Sequence, residues 1–312
     1  MLELLYLLLG LIGLWLGTEL IIRGALAIAE YYRLSQVFIG LTILAVGTDL
    51  PELVVAIDAS LLQLKGQETS GIIIGNALGS SLNQITVVLS VAGLVGYLTL
   101  SKKAIRQDGL VLLGATILFF LVGFDGTVSS IEGFSLIVVY LIYYLLLLYG
   151  ERVPEKLKKE LPKKIWHNLV YLLGGMALVV FASNVVVNNA IALAELWEVP
   201  QSFIAIVFIA LGTSLPELAI SINAARKKAA GLSIGNVIGS NTFDLLIPVG
   251  VGASISELRF ESELLWRDLP ILFIVTVIVL IYFSKKKGLQ RKEAISLAGI
   301  YVMYVTVKVI GL

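Results

Sequence analysis

The chain has 312 residues, 58% hydrophobic and only 14% charged, where a soluble domain carries about 25% charged residues. The net charge of +1 gives no basis for a nucleic-acid partner, and the absence of cysteine excludes disulfides, thiol catalysis and thiolate metal sites. Any bound cation is then a hard one held by oxygen.

In chain order, Leu2 to Thr18 is apolar but lacks a basic leader and an A-x-A cleavage site, so it reads as a first membrane helix and not a removed signal peptide. The 33 residues from Thr69 to Ser101 and the 30 from Ile165 to Ala194 contain no Asp, Glu, Lys or Arg. Both exceed the ~20 apolar residues that cross a bilayer, and neither alternates as a membrane barrel strand does. Charges and turn residues divide the chain into ten apolar spans, near 2–31, 35–62, 69–98, 105–123, 130–149, 165–193, 200–224, 230–256, 268–284 and 293–311. The predicted fold is an all-α polytopic membrane protein of ten transmembrane helices. Residues 151–164 form a solvated linker between a first five-helix half, 1–150, and a second, 165–312.

The basic residues test this count, because alternate loops collect Lys and Arg on the cytoplasmic side. Of the 23, 18 fall in one set of loops: Arg33; Lys102, Lys103 and Arg106; Arg152 to Lys164; Arg226 to Lys228; and Lys285 to Lys292. The other loops hold only Lys65, Arg259 and Arg267. The linker is therefore expected in the cytoplasm of a cell-membrane protein, with both termini outside.

The halves resemble each other. Gly47-Thr-Asp-Leu-Pro-Glu-Leu53 in span two matches Gly212-Thr-Ser-Leu-Pro-Glu-Leu218 in span seven at six of seven positions. Ile74-Gly-Asn-Ala-Leu-Gly-Ser80 in span three matches Ile234-Gly-Asn-Val-Ile-Gly-Ser240 in span eight at five of seven. Five spans per half set the second copy upside down. Such inverted repeats are a transporter architecture with the substrate site at the midplane, although duplication also occurs in channels and enzymes.

Four carboxylates lie in these repeats: Asp49, Glu52, Glu217 and Asp244. Each costs about 2.5–3.5 kcal/mol at the centre of a membrane helix, and no Lys or Arg is close in sequence to neutralise them. Either they are protonated or hydrogen-bonded structural groups, or a cation supplies the missing charge. The spacing favours the cation. Pro51 and Pro216 interrupt their helices, which frees carbonyls near Ala45 to Thr48 and Ala210 to Thr213 in a place where broken helices line cavities. Thr48 and Glu52, and likewise Thr213 and Glu217, share a face four residues apart. Two such breaks give an all-oxygen cage of the kind calcium takes. Ser80 with Gln84, and Ser240 with Asp244, supply a neighbouring wall. The glycine ladders 71/75/79 and 231/235/239 allow close helix approach. Glu19 and Arg23 read as a self-satisfied pair in span one, and His167 and the four tryptophans as interfacial or packing residues.

The four motifs together resemble the alpha repeats of the cation/calcium exchanger superfamily, above all the prokaryotic sodium/calcium exchangers, over essentially the whole chain. The resemblance implies a secondary antiporter, not an enzyme, that needs no cofactor and moves calcium against sodium by alternating access. Its partners are inorganic cations and the lipid bilayer, with no obligate protein partner. It implies calcium held by Glu52 and Glu217 with the carbonyls of Thr48 and Thr213. One sodium site would use Ala210, Thr213, Ser214 and Ser240, and another Ala45, Thr48, Asp49 and Ser80. A fourth vertex would fall between Gln84 and Asp244, and spans one and six would slide across the core. Two positions depart from the pattern: Asp49 replaces a small hydroxyl residue, and Gln84 replaces Asn or Asp. The counter-ion thus stays open to proton or potassium, and the divalent to magnesium or manganese. A passive channel is the reading from another class.

Overall fold

The structure, a computed structural model, describes residues 2–151, 163–196, 214–285 and 288–310. It is all-helical apart from a two-residue antiparallel pairing of β1 (Thr127–Val128) with β2 (Leu258–Arg259). Among the described residues seven helices are long and apolar enough to cross a membrane. These are α1 (Leu2–Tyr32), α4 (Ser70–Val95), α5 (Lys102–Val122), α6 (Ser130–Gly150), α7 (Lys163–Leu196), α9 (Ala230–Ile255) and α10 (Leu264–Ser284). An eighth crossing is a broken one: α2 (Gln36–Thr48) and α3 (Leu50–Gln63) meet at a 41° bend. The remaining helices are α8 (Leu215–Arg226) and α11 (Arg291–Ile310). The expected first arm of span seven lies largely outside the described residues.

Local sequence sets the helix starts. Ser35 and Ser101 cap α2 and α5 by accepting from Phe38 N and Ala104 N, each at 3.1 Å, which satisfies a helix-start N–H that has no partner within the helix. Ser129 and Glu132 form a reciprocal capping box at α6.

Burial is inverted relative to a soluble protein. Leu5, Leu9 and Ile12 of α1 and Leu141, Leu145 and Leu146 of α6 are exposed, as lipid-facing residues are. The most buried of these crossings, α9, also has the lowest mean hydropathy among them, 1.2, because it carries polar groups through the centre. Glycines bring it close to its neighbours: a Cβ at Gly235 or Gly239 would strike Val37 or Leu41 of α2. The ladder of span eight thus packs against the broken span, as expected. A Cβ at Gly75 or Gly79 would meet nothing within 4 Å among the described residues. Helices α1 and α7 form a second packed unit, with Gly17 against Val179 and Gly24 against Leu172.

Loop contacts sort the helix ends into two faces. On one, Ser35 N–H donates to Glu151 at 3.2 Å, Leu289 N–H donates to the Leu98 carbonyl at 2.8 Å, and Gly96 abuts Ala225. On the other, β1 pairs with β2, and Arg259 N–H donates to Ser70 Oγ at 2.9 Å. Among the described residues, the first face lies beside Arg33, Lys102 and Arg226–Lys228, and the second beside Lys65 and Arg259.

Candidate ion-binding site

The site is built on the helix break between α2 and α3 and on its counterpart at the start of α8. Asp49 sits at φ −90°, ψ 4° and Ser214 at φ −90°, ψ 9°, so the two motifs fold alike. In each, the proline falls in the first turn of the following helix, where its missing N–H is tolerated. Asp49 N–H still bonds the Ala45 carbonyl at 3.1 Å, and the helix resumes with Leu53 N–H on the Asp49 carbonyl at 3.2 Å. The expected freed set of carbonyls therefore begins at Val46, not at Ala45. The end of Met176 on α7 rests over Gly47, where a Cβ would displace it. Thr48 Oγ–H donates to the Leu44 carbonyl at 3.0 Å, and its hydroxyl lies beside Glu217.

Asp49, Glu52, Glu217 and Asp244 are all buried, at no more than 1% exposure. Seven of their eight carboxylate oxygens have no hydrogen-bond partner. They converge across the halves: Glu217 lies beside Thr48 and Asp49, and Glu52 is within electrostatic range of Glu217 and Asp244. Among the described residues no three acidic or histidine side chains close on one point. An ion here is met by at most two carboxylates, with hydroxyl, amide and carbonyl oxygens completing the shell. That donor set suits a hard cation. Unpartnered buried carboxylates are costly, and among the described residues no Lys, Arg or His is buried to offset the cost.

Gln84 is fully engaged. Its Nε2 donates to Ser80 Oγ at 3.0 Å and to Asp244 Oδ2 at 3.1 Å, and its Oε1 accepts from Asn241 Nδ2 at 2.7 Å. The expected vertex between Gln84 and Asp244 is thus bridged by an amide. The hydroxyl groups also pair differently from the arrangement the resemblance implies. Ser80 Oγ lies 3.4 Å from Ser214 Oγ, and Asp49 faces Ser240. Ala210 and Thr213 lie outside the described residues.

Several site features carry no mark in the motif reading. Residues Gln84–Val88 form a π-helical turn, a local widening common at functional sites. At the matching turn of α9 stands Pro248, which has no N–H for the Asp244 carbonyl. The two halves loosen the same turn by different means. Ser233, Asn236, Ser240 and Asp244 lie along one face of α9, all buried and all with unpartnered polar atoms. Ser221, four residues after Glu217, is buried and unpartnered as well. The Gly-Asn-x-x-Gly-Ser motif contains Asn236, and its polarity inside a buried face is the signal that flags it.

Away from the centre, Arg23 Nε and Glu19 pair at 2.7 Å as expected, and Lys227 Nζ of the loop after α8 joins Glu19 at 2.5 Å. His167, Trp15, Trp166 and Trp266 are exposed, in keeping with interfacial positions, whereas Trp197 lies outside the described residues.

The family profile described as "Sodium/calcium exchanger protein" matches residues 2–149 and 167–310. The chain belongs to the sodium/calcium exchanger family. It is 27% identical to the sodium/calcium exchanger MaX1 of Methanosarcina acetivorans over 97% of both chains. It is 30% identical to the uncharacterized membrane protein MJ0091 of Methanocaldococcus jannaschii, over 96% of this chain and 95% of that one. A solved structure of the sodium-calcium exchanger NCX_Mj, in 10 mM Na+ without Ca2+, superposes with a TM-score of 0.87 at 29% identity, covering 98% of each chain. As a family member the chain is a secondary active antiporter working by alternating access, and not an enzyme.

Proposed function

We propose that the chain exchanges calcium for sodium through a site at the midplane of ten helices, arranged as two inverted repeats of five, 1–150 and 165–312, joined by the linker 151–164. Calcium sits between Glu52 and Glu217, which supply the two negative charges that balance it, with oxygens of Thr48 and Thr213 beside them. Sodium ions occupy the flanking oxygen sets drawn from Ala45, Asp49, Ser80, Ala210, Ser214 and Ser240, while Gln84 and Asp244 form the fourth corner. The linker faces the cytoplasm and both termini face outward, in line with the basic loops sharing one face. The polar track Asp244–Ser240–Asn236–Ser233 runs from the centre toward that face and forms the ion's route to it.

The observation that carries this reading is the set of seven unpartnered carboxylate oxygens beside two matched helix breaks. Uncompensated buried charge is costly, and the helix breaks beside these carboxylates supply the further oxygens that a cation needs. The test is calcium uptake into proteoliposomes with an imposed sodium, proton or potassium gradient. Uptake driven by outward sodium supports the reading. Uptake driven only by protons, or passive uptake with no counter-ion, removes it.

A further inference from the structure

On the face that carries Glu151, the start of α2, the start of α5 and the end of α6 frame a cavity of about 540 Å³, which the ion route does not use. Phe38 and Leu41 of α2, Val111 of α5, and Leu146 and Leu147 of α6 give it apolar walls. Two buried polar side chains line it as well, Asp108 of α5 and Tyr143 of α6. Asp108 is 7% exposed and accepts no hydrogen bond among the described residues. The Tyr143 hydroxyl is wholly buried and unpartnered, and it lies within electrostatic range of Asp108. Nearly all buried polar groups in folded proteins have partners, so two orphans on one cavity mark a place where a ligand completes the structure.

The charges around the cavity leave Asp108 uncompensated. Lys103 is exposed and lies five residues nearer the end of α5, about 7.5 Å of helical rise. It makes no ion pair with Asp108. Glu151, the other charge in range, is itself negative and accepts from Ser35. A ligand that fits therefore brings one positive charge and N–H donors to Asp108 and Tyr143, and an apolar body to the walls. A bare metal ion does not fit: Asp108, Tyr143 and Gln107 offer fewer oxygens than the about six to eight that a cation such as calcium takes. The volume lies among those of small-molecule sites, about 300–1,000 Å³.

We propose that this cavity binds a protonated organic amine with a compact apolar body, its ammonium on Asp108 and Tyr143, and that the bound amine restrains transport. The restraint follows from the wall it occupies. Phe38 and Leu41 belong to the arm of the broken span that packs on α9, where Gly239 abuts Leu41 and Gly235 abuts Val37. An amine lodged between that arm, α5 and α6 holds the arm against α9. Rearrangement of the broken span then has to displace the ligand first. The binding half of the proposal stands on the cavity alone, and the transport half rests on the antiport reading above.

The probe is 1-adamantylammonium, a rigid apolar cage with one ammonium, and 1-adamantanol is its uncharged counterpart. Binding to the purified full chain in detergent, without calcium, is read as the rise of melting temperature with probe concentration. The expected result is a saturable rise with the amine and binding at least about tenfold weaker with the alcohol, equivalent to about 1.4 kcal/mol. Asp108→Asn should weaken the amine at least about tenfold and leave the alcohol unchanged. Val111→Trp, which fills the cavity, should abolish the binding of both. In proteoliposomes with equal amine and equal pH on both sides, the amine should slow calcium uptake by the wild type and not by Asp108→Asn. Absence of saturable amine binding overturns the proposal. So does binding that survives both substitutions or that calcium displaces competitively, because it assigns the amine to the central acids. Stabilisation by sodium, potassium or calcium that Asp108→Asn removes also overturns it, by making the cavity an inorganic-cation site. Binding at Asp108 without slower uptake overturns the restraint. Binding at Asp108 in a chain that moves no calcium under any gradient supports the site and removes the antiport reading.

Discussion

Replacing Glu217 with Gln keeps the shape of the side chain and removes one of the two charges assigned to calcium. Glu217 is wholly buried, both of its carboxylate oxygens are unpartnered, and it faces Thr48 and Asp49 across the halves. Removing one member of a buried, compensated charge set costs about 3–5 kcal/mol. At about 1.4 kcal/mol per decade, calcium affinity falls by roughly two to three and a half orders of magnitude. The same variant has the opposite effect on the ion-free protein, because a neutral amide is cheaper to bury than a carboxylate. Its melting temperature in detergent without calcium should therefore equal or exceed that of the wild type. Calcium should stabilise the wild type strongly and the variant weakly, as binding to the folded state requires. Glu52→Gln, at the matching position of the other half, should lose affinity to within about tenfold of Glu217→Gln, since one decade is about 1.4 kcal/mol. Equilibrium calcium binding and calcium-dependent melting measure both effects. Near-normal calcium binding or transport in either variant would refute the assignment of the glutamate pair.

Three further outcomes are expected. A cysteine placed in the 150–164 linker should react with an impermeant thiol reagent only from the cytoplasm, and one at Asp125 only from outside; reversed labelling shows that the polarity is wrong. Asn236→Cys, in a chain with no cysteine of its own, should react from the face of the basic loops when ionic conditions open that side, and absence of reaction in every condition removes Asn236 from the ion route. Asp268 is 1% exposed and takes Lys308 Nζ at 2.7 Å and Arg267 Nε at 2.9 Å; because Lys308 is about a third exposed and partly screened, Asp268→Asn should cost about 1–3 kcal/mol, with a lowered melting temperature that Lys308→Met largely restores.

Much of the site was legible because its chemistry is local in sequence. A proline and a glutamate one residue apart, repeated in the other half at the same ordinal span, fix a helix break and a carboxylate whatever surrounds them. The matching backbone angles at Asp49 and Ser214 follow from that shared wording. The packing of Gly235 and Gly239 on α2 was legible for the same reason, since a four-residue glycine ladder has one close-approach face. The crossed pairing of Ser80 with Ser214 was not, because it depends on how two distant segments interleave, and neither motif encodes that. The π turn at Gln84–Val88 has no residue signature, whereas Pro248 does, and it lies four residues beyond Asp244 where its effect falls on the site. The Asp268–Lys308 pair joins two spans whose isolated charges were visible singly, but nothing in sequence links them. In the same way, Glu19 was readable as the partner of Arg23, while its contact with Lys227 required the fold.

The contacts around α1 and α7 bear on how such a site changes its access. These two helices are sealed to each other by glycines that let backbone meet backbone: Gly17 and Gly24 of α1 accept Val179 and Leu172, and Gly175 of α7 accepts Ile21. Contacts of that density resist separation, because every void opened forfeits dispersion on both sides. Beyond an apolar seam with Phe38, Ile39 and Leu44 of α2 and Ile220 and Ala224 of α8, their attachments to the rest are of another kind. Thr18 Oγ accepts from Asn223 Nδ2 at 3.1 Å, Glu19 pairs with Lys227, and the end of Met176 rests over Gly47. Hydrogen bonds and a partly exposed ion pair exchange readily for equivalents one turn away, and methionine adapts its shape at little cost. A tightly sealed pair held to its neighbours by exchangeable contacts moves more easily as one body than it comes apart. Because Met176 covers Gly47 beside the Asp49 break, a translation of that body would carry the cover off the break. Under the proposed antiport, movement of α1 with α7 would thereby expose the residues proposed to hold the ion.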